Sequence, residues 1–334
     1  RCIKKQLEQI AKNPSLKLKP VALTGNLPLI TNQILFFLKP EIATNENAWN
    51  LVIDKISEFG YEISHVRVLS GTNMKEEKIP RRHYGVIDTV AAFGLAALSQ
   101  EAKERFTQLY GFPPEDVPVL GAIEAMEKQG WTLQDVQSAW MQADPKKSGT
   151  ADGIVKLSGG TYCLKTMYRN QPVFLLNGFH PSQIEHFTTP PEKRVIVFLT
   201  QQTENGACWQ KIRKEMLGHT DPAQASPDSI RGILYRKSSE LGIEETINIS
   251  RNGVHGSAGP FEALREIMIW LGFSIAETVL GKELLKAGYN EKQIKNMLEN
   301  PVIQTGHKKI PLFDLTEEMD IRQRDGSFVL TFFP

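Results

Sequence analysis

His255 lies in segment 252–257 (Asn-Gly-Val-His-Gly-Ser), and Glu266 follows it by eleven residues. A histidine can attack phosphorus through one ring nitrogen when the other donates its proton to a fixed acceptor that holds the tautomer. Glu266 is a candidate for that acceptor. Since a lone histidine beside a glycine is more often structural, this pattern alone indicates phosphoryl transfer only weakly.

A helix is expected directly after this histidine. Apolar residues recur at helical spacing over 260–272, in Phe261, Leu264, Met268 and Leu271. Pro260 occupies the favoured first turn. The unpaired N–H groups of a helix N-terminus would lie beside His255, where they stabilise a phosphoryl group.

The remaining elements follow from hydrophobic patterning. Apolar runs predict strands at 34–38, 61–69, 194–200 and 253–257, of which 194–200 is the clearest central strand. Helical spacing predicts one helix that starts near Trp49 and ends at Gly60, and another over 208–217 that ends at Gly218. This order of elements fits a split βαβ arrangement.

Several further segments strengthen the functional interpretation of the histidine motif. They are 37–41 (Phe-Leu-Lys-Pro-Glu), His83-Tyr84, 217–222 (Leu-Gly-His-Thr-Asp-Pro) and 226–232 (Ser-Pro-Asp-Ser-Ile-Arg-Gly). Together with 252–257 and Glu266, they resemble nucleoside diphosphate kinases in type and order. The resemblance implies an α/β (α+β) fold whose core is a ferredoxin-like split βαβ domain.

The resemblance also implies nucleotide-binding residues. Lys39 matches the lysine that reaches the terminal phosphate and the sugar hydroxyl, and Arg231 and Thr220 match the residues that hold the inner phosphates. Asn252 matches the asparagine that bonds the sugar. An ordinary lysine at the end of a strand is the alternative reading of Lys39.

Three further matches concern the histidine itself. Ser257 and Glu266 match the serine and glutamate that position it, and Tyr84 matches the tyrosine beside the phosphohistidine. A serine at a strand end, a solvated helix face and a core tyrosine are the alternative readings of these three residues. The spacing between His255 and the helix favours the functional reading.

The chain departs from the family at three points. Ala258 replaces the acidic residue that normally follows histidine-glycine-serine, so a carboxylate near the loop is expected to be lost. A family arginine falls on Lys214, with Arg213 beside it, and a lysine lacks the bidentate head. Phe179 and His180 are the nearest candidates for the aromatic side chain that covers the base.

The motifs also divide the 334 residues. We expect an N-terminal extension (1–32), a first part of the core (33–87), an insertion (88–171), a second part of the core with the histidine (172–273) and a C-terminal extension (274–334). Apolar spacing in the insertion predicts a mostly helical subdomain that ends in a hairpin over 161–176 around Arg169-Asn170. After 273 we expect helices to about residue 299 and extended chain beyond.

Composition restricts the partners. Net charge is +1, so nothing calls for nucleic acid, and no apolar run approaches the length of a membrane span. Three widely spaced cysteines, Cys2, Cys163 and Cys208, fit a reducing cytoplasm and form no metal-ligand pattern. Because the chain begins at Arg1, the sequence does not decide whether a signal precedes it. The resemblance implies nucleotides as partners and a homo-oligomer.

These observations predict a phosphotransferase that moves the terminal phosphate of ATP or another nucleoside triphosphate to a nucleoside diphosphate through phosphohistidine at His255. Mg²⁺ is expected to enter with the nucleotide phosphates, and no metal site on the chain is expected. Two alternatives stay open. The insertion selects a different small phosphorylated acceptor, or the chain is a non-catalytic nucleotide-binding scaffold.

Overall fold

A computed structural model describes residues 21–22, 32–306 and 308–322. Most of the expected N-terminal extension, including Cys2, and the last residues of the C-terminal extension lie outside this part. The chain forms two compact units. The first uses the described residues up to Met74 and from Pro190 onward, and the second is Lys75–Thr189.

The strands are β1 Val21–Ala22, β2 Gln33–Leu38, β3 Tyr61–Ser70, β4 Val119–Gly121, β5 Val155–Ser158, β6 Thr161–Tyr168, β7 Gln171–Leu176, β8 Arg194–Gln202, β9 Val254–Gly256, β10 Val302–Thr305 and β11 Lys308–Pro311. The α-helices are α1 Glu46–Glu58, α2 Gly71–Glu76, α3 Ile79–His83, α4 Gly85–Phe93, α5 Gln100–Tyr110, α6 Ala122–Gln129, α7 Leu133–Met141, α8 His180–Thr188, α9 Trp209–Lys211, α10 Ile230–Arg236, α11 Pro260–Leu271, α12 Val279–Lys286, α13 Glu291–Leu298 and α14 Leu312–Thr316. A π-helical segment, Ile212–Leu217, continues α9. Short 3₁₀ turns occur at Gly94–Ala97, Pro114–Asp116, Pro145–Lys147, Pro222–Gln224 and Ile275–Glu277.

The first unit is built on a five-stranded sheet of order β1-β3-β8-β2-β9. Both β2 and β3 pair antiparallel with β8, so they run parallel to each other with β8 between them. Both β8 and β9 pair antiparallel with β2 and are related in the same way. The order is that of a ferredoxin-like split βαβ domain, which confirms the predicted fold class and the central place of 194–200.

Alternation along β2 separates the two faces of this sheet. Ile34, Phe36 and Leu38 belong to a buried core that also contains Trp49 and Val52 of α1. Trp209, Ile212, Met216 and Leu217 cover the same core from the segment that follows β8. Successive strand residues point to opposite faces, so Phe37 and His255 lie on the other face.

Helix α11 is buried on two sides. Phe261 and Leu264, from the apolar stripe seen in the sequence, pack with Leu280, Leu284 and Leu312 of the C-terminal extension. Trp270 instead stacks on Phe37 of β2, with ring centroids 4.3 Å apart. The extension beyond 273 is therefore part of the core of the first unit. Its predicted extended end is wrong over 312–316, which form α14.

The second unit contains a four-stranded sheet of order β4-β7-β6-β5. The predicted hairpin is confirmed as β6 and β7, joined at Arg169 and Asn170 with φ of 49° and 63°, as primed hairpin turns require. Within the insertion expected to be mostly helical, Val119 begins strand β4, which pairs parallel with β7. The unit is longer than the expected insertion 88–171, and its sheet adds two strands to the expected hairpin.

The sheet of the second unit carries its own core. Phe106 of α5 packs edge-on against Phe174 of β7 at 4.8 Å between ring centroids, beside Val90, Val119 and Cys163. Cys163 and Cys208 are free thiols, Cys163 being buried and Cys208 half-buried. Among the described residues, no helix is long and apolar enough to span a bilayer.

Candidate active site

Strand register and ring stacking position His255. His255 of β9 lies opposite Phe37 of β2. The two rings stack with centroids 4.5 Å apart and planes 17° apart, and Trp270 of α11 stacks on the same phenyl ring. These contacts fix the plane of the imidazole.

A buried carboxylate holds one edge of this imidazole. His255 Nε2 is 2.7 Å from Glu266 Oε1, and Ser257 Oγ donates to Glu266 Oε2 at 2.5 Å. The Glu266 side chain is 3% exposed, whereas the His255 side chain is 20% exposed. The structure thus brings the three predicted residues His255, Glu266 and Ser257 together around one carboxyl group.

This geometry determines the tautomer. A carboxylate accepts hydrogen bonds, so Nε2 carries the proton that faces Glu266, and in the neutral ring Nδ1 carries the lone pair. The hydrogen bond from Ser257 fixes the rotation of the Glu266 carboxyl group about the bond that joins it to the rest of the Glu266 side chain. The arrangement is the base-and-orienter pattern that activates a nucleophile.

Lys39 and Asn252 form a second group of predicted residues. Lys39 Nζ donates to Asn252 Oδ1 at 2.7 Å, and Asn252 Nδ2 donates to the carbonyl oxygen of Thr220 at 3.0 Å. Asn252 is buried, and the Thr220 side chain is exposed. The amide of Asn252 therefore ties the end of β2 to the loop that contains Thr220.

Glu41 and Gly253 hold the backbone of this group, and the sequence argument did not single them out. Glu41 Oε1 accepts the Gly253 N–H at 2.8 Å, while the Lys39 N–H donates to the Gly253 carbonyl at 2.8 Å. Gly253 has φ +78°, and a Cβ there would lie 2.5 Å from Leu234 Cδ1, so this turn requires glycine. In the sequence, the position of Glu41 two residues after Lys39 was the feature that could have indicated this role.

The pKa of Lys39 is lowered to about 8, chiefly by burial; Glu41 opposes this shift and the neighbouring Arg231 adds to it. The charged amine is thus held where solvent stabilises it poorly. An anion placed beside it would restore the lost stabilisation.

Arg231 is a buried cation held by carbonyl groups. Its Nη1 donates to Gly218 O at 2.9 Å and its Nη2 to Val254 O at 3.1 Å, while Nε is buried without a hydrogen-bond partner. In the described part of the chain no carboxylate forms an ion pair with it. Burial lowers its pKa to about 10, and nearby Arg213 adds to the shift.

The π-helical segment decides between Arg213 and Lys214. The Gly218 N–H bonds to the Arg213 carbonyl at 3.2 Å, five residues back. Arg213 Nη1 reaches Gly256 O, next to His255, at 3.1 Å. The Lys214 side chain is 60% exposed and pairs with Glu318. A π-turn shifts the face that each side chain occupies, so Arg213 contacts the loop after His255 while Lys214 lies on the exposed side.

A carboxyl group from another position lies beside Ala258. Glu262, in the first turn of α11, brings Oε2 to 3.3 Å from the Ala258 N–H, which donates to it. Burial raises the pKa of Glu262 to about 8, with a further rise from Glu266 and an opposing effect of Arg213. The loop after His255 therefore keeps an acidic neighbour, one helical turn away in sequence.

Tyr84, Phe179 and His180 lie in the second unit. Tyr84 packs edge-on against His83 at 4.7 Å between centroids, and Phe179 against Tyr162 at 5.7 Å. His180 is fully buried, and its two ring nitrogens are 3.1 Å from Gln183 Oε1 and 3.0 Å from Asp88 Oδ1. This arrangement is that of a structural histidine and disfavours the expectation that His180 covers a base.

Comparisons with known proteins find relatives that match part of the chain. No protein-family model matches it. The nucleoside diphosphate kinase of Symbiobacterium thermophilum is 36% identical over 94 residues, which are 28% of this chain and 51% of that protein. That of Synechococcus sp. (strain JA-3-3Ab) is 34% identical over 91 residues, or 26% of this chain and 54% of that protein. The chain thus spans about half the length of these relatives.

Among solved structures, a transition state mimic of nucleoside-diphosphate kinase from Borrelia burgdorferi with bound vanadate and ADP is 18% identical. It covers 73% of this chain and 88% of that one with a TM-score of 0.33, a value that does not by itself establish a common fold. The matches in sequence confirm the predicted resemblance. Over 26–28% of its length the chain is similar to these nucleoside diphosphate kinases.

Proposed function

We propose that the protein is a phosphotransferase that moves the terminal phosphate of a nucleoside triphosphate to a nucleoside diphosphate through a phosphohistidine at His255. The observation that carries the proposal is the 2.7 Å contact between His255 Nε2 and Glu266 Oε1, with Ser257 fixing the other carboxylate oxygen. This contact makes Nδ1 the attacking nitrogen.

The reaction consists of two half-reactions. His255 Nδ1 attacks the terminal phosphorus, the bond from that phosphorus to the bridging oxygen breaks, and the nucleoside diphosphate leaves with the electron pair. A second nucleoside diphosphate then attacks the phosphohistidine with its terminal phosphate oxygen, and the bond between phosphorus and Nδ1 breaks. Glu266 stabilises the positive charge that the ring carries in each transition state.

The cations support the same proposal. Arg231 contributes to the lowered pKa of Lys39, and Arg213 contributes to the lowered pKa of Arg231, as expected of positive groups that lie close together. Phosphoryl transfer requires such compensation, because charge accumulates on the equatorial oxygens. A polyphosphate bound between these three side chains would relieve their repulsion, and Asn252 would keep Lys39 in place.

The proposal includes the expected partners. Nucleotides bind as Mg²⁺ complexes in which the phosphates hold the ion, with ATP as the ordinary donor. We also propose that the protein is cytoplasmic and assembles into a homo-oligomer. Neither nucleic acid nor a membrane is a proposed partner. Thr220 and Asn252 would contact the inner phosphates and the sugar.

There are two alternatives to this proposal. In the first, the second unit, Lys75–Thr189, interrupts the region that clamps the base in the family and selects a different small phosphorylated acceptor. A non-catalytic scaffold is disfavoured, because a binding module gains nothing from an imidazole held by a buried glutamate.

Brief incubation with γ-labelled ATP tests the proposal. We expect label on the protein that is labile in acid and stable in base, which distinguishes phosphohistidine from phosphoserine. Addition of a nucleoside diphosphate should remove the label as the triphosphate, and a panel of other acceptors should identify any competitor. A folded protein that acquires no such label would contradict the proposal.

A further inference from the structure

A short segment near the end of the described chain, 316–321, lies against the candidate site. We call it the C-terminal clamp. Leu312 just before it and Ile321 at its end are buried in the core that includes Phe261 and Leu264 of α11. Thr316 is also buried, and its hydroxyl donates to Leu312 O at 2.9 Å. The clamp is therefore anchored at both ends.

The clamp binds the loop that follows His255. The Glu318 N–H donates to Ala258 O at 2.8 Å. A Cβ at position 259 would lie 2.6 Å from Thr316 O, although the backbone of Gly259, with φ −163° and ψ 177°, is ordinary extended chain. Glycine is thus required at 259 because the clamp is there.

The clamp also caps the helix that carries Arg213. Cys208, at the N-cap position of α9, makes no side-chain cap, and Asp320 Oδ1 accepts the Trp209 N–H at 2.8 Å instead. The indole of Trp209 then donates from Nε1 to Ser257 O at 3.0 Å. Asp320 is connected through Trp209 to the residue that orients Glu266.

Arg213 is held from the same two sides. Its Nη1 donates to Gly256 O in the loop, and its Nη2 is 3.6 Å from Glu317 Oε1 in the clamp. The helix from Trp209, the loop after His255 and the clamp therefore form one connected network around the Arg213 guanidinium.

We infer that the C-terminal clamp is a working part of the phosphotransfer site, in which Asp320 acts as a positioning residue for Arg213 and the loop 256–258. This inference rests on the proposed function and extends it to a segment outside the family motifs. Its physical basis is that a phosphate-binding arginine on a short π-helical turn needs external fixation, because such a turn is less stable than an α-helix.

The test uses the full chain and two substitutions at one position. Asp320→Ala removes both the charge and the cap, whereas Asp320→Asn removes the charge and keeps an oxygen that caps well. We expect Asp320→Ala to weaken MgADP binding, measured by calorimetry, by about 5–30-fold, as for neighbours in one network. Asp320→Asn should stay within about twofold of the parent, because the cap survives.

A double-mutant cycle separates positioning from general stability. In an Arg213→Ala background, Asp320→Ala should weaken MgADP binding by less than about twofold, because the side chain that Asp320 positions is gone. An equal loss in both backgrounds would overturn the inference and make the clamp merely structural. Parent-like binding by Asp320→Ala would also overturn it.

Gly259→Ala provides a second variant if Asp320→Ala does not fold. The added methyl group displaces Thr316 without straining the backbone, and Gly159→Ala, where nothing lies within 4 Å of the new Cβ, is the matched control. We expect Gly259→Ala to weaken MgADP binding and slow labelling by about fivefold or more, and Gly159→Ala to change neither. Equal behaviour of the two variants would refute the clamp's role. Absence of labelling in the parent protein would instead refute the proposed function.

Discussion

Within the described part of the chain, each unit contains a histidine–carboxylate pair. His255 in the first unit contacts Glu266 at 2.7 Å, and His180 in the second contacts Asp88 at 3.0 Å. The residue types and distances are alike. The His255 side chain is 20% exposed and the His180 side chain is 0% exposed, so solvent and substrate reach one ring and not the other.

The carboxylates differ as well. Asp88 also accepts from Arg81 Nε, at 2.9 and 3.1 Å to its two oxygens, and this cation together with His180 holds the pKa of Asp88 below its usual range despite burial. Glu266 receives the hydroxyl of Ser257, a neutral donor. A carboxylate already paired with arginine links α3, α4 and α8 within the second unit. Ser257 instead fixes the second oxygen of Glu266 beside a partly exposed imidazole, so a histidine–acid contact alone does not identify a catalytic residue.

The largest expected effect separates the two histidines directly. His255→Ala should abolish the acid-labile label and nearly all transfer, because the nucleophile is removed, while MgADP binding survives through Lys39, Arg213 and Arg231. Labelling with γ-labelled ATP and calorimetry measure the two properties. Substantial residual label on this variant would place the phosphohistidine elsewhere.

Glu266→Gln tests the difference between the carboxylates. The amide keeps the size and a hydrogen-bonding oxygen but loses the charge, so we expect folding to persist and transfer to slow by about 10²–10³-fold, or about 3–4 kcal/mol. Rapid-quench measurement of label formation reads this rate. An unchanged rate would make Glu266 a structural residue like Asp88.

His180→Ala should produce the opposite pattern. Loss of a fully buried ring that bonds at both nitrogens should lower the free energy of unfolding by about 2–4 kcal/mol, because Asp88 and Gln183 lose partners. The rate of label formation in the folded fraction should stay close to that of the parent. A stability equal to the parent's would show that the buried network is dispensable.

The pH dependence of kcat/KM and of stability tests the role of Lys39. Because the pKa of Lys39 is lowered to about 8, its positive charge is lost as pH rises through that value, and kcat/KM should fall about tenfold per unit above it. In the unfolded chain Lys39 keeps its proton up to about pH 10.5. Between about pH 8 and 10.5 the unfolded state therefore binds more protons than the folded state, and the free energy of unfolding rises with pH. Lys39→Arg should remove the fall in kcat/KM near pH 8.

Glu262 needs its own control in that titration, because its pKa is also raised to about 8. Glu262→Gln removes this group and should leave the fall caused by Lys39. A profile that is flat in Glu262→Gln and unchanged in Lys39→Arg would assign the titration to Glu262.

The smallest expected effect concerns the second unit. Thr72 N–H donates to Pro191 O at 3.2 Å and Gly71 N–H to Lys193 O at 2.7 Å, so the chain ends that flank this unit lie side by side in the first unit. Replacement of residues 75–189 by a short Gly/Ser linker should leave labelling of His255 largely intact and change the ranking of acceptors. A cooperative melt checks folding.

Two outcomes would revise the role of the second unit. An unchanged ranking would make it a structural or partner-binding addition. Loss of labelling in a well-folded deletion would mean that it supplies part of the nucleotide site.

Local patterning was sufficient for the central strands of the first unit. The apolar runs at 34–38 and 194–200 could be interpreted as buried strands because a continuous apolar run is what a strand covered on both faces requires. Motif order likewise indicated His255, Glu266 and Ser257, since they lie within or directly after one strand and in the first two turns of the helix that follows it. The stop at Gly218 could also be anticipated from the glycine itself.

What the sequence could not decide depends on contacts between distant segments. The choice of Arg213 over Lys214 depends on a π-turn, whose fifth-residue hydrogen bond has no compositional signature. Glu262 replaces the missing acid only because α11 begins right after the loop, and Asp320 caps Trp209 across 111 residues. The sequence therefore determined which residue types could carry phosphoryl transfer, and tertiary packing decided which of them meet, because exposure and hydrogen-bond partners are set by neighbours remote in the chain.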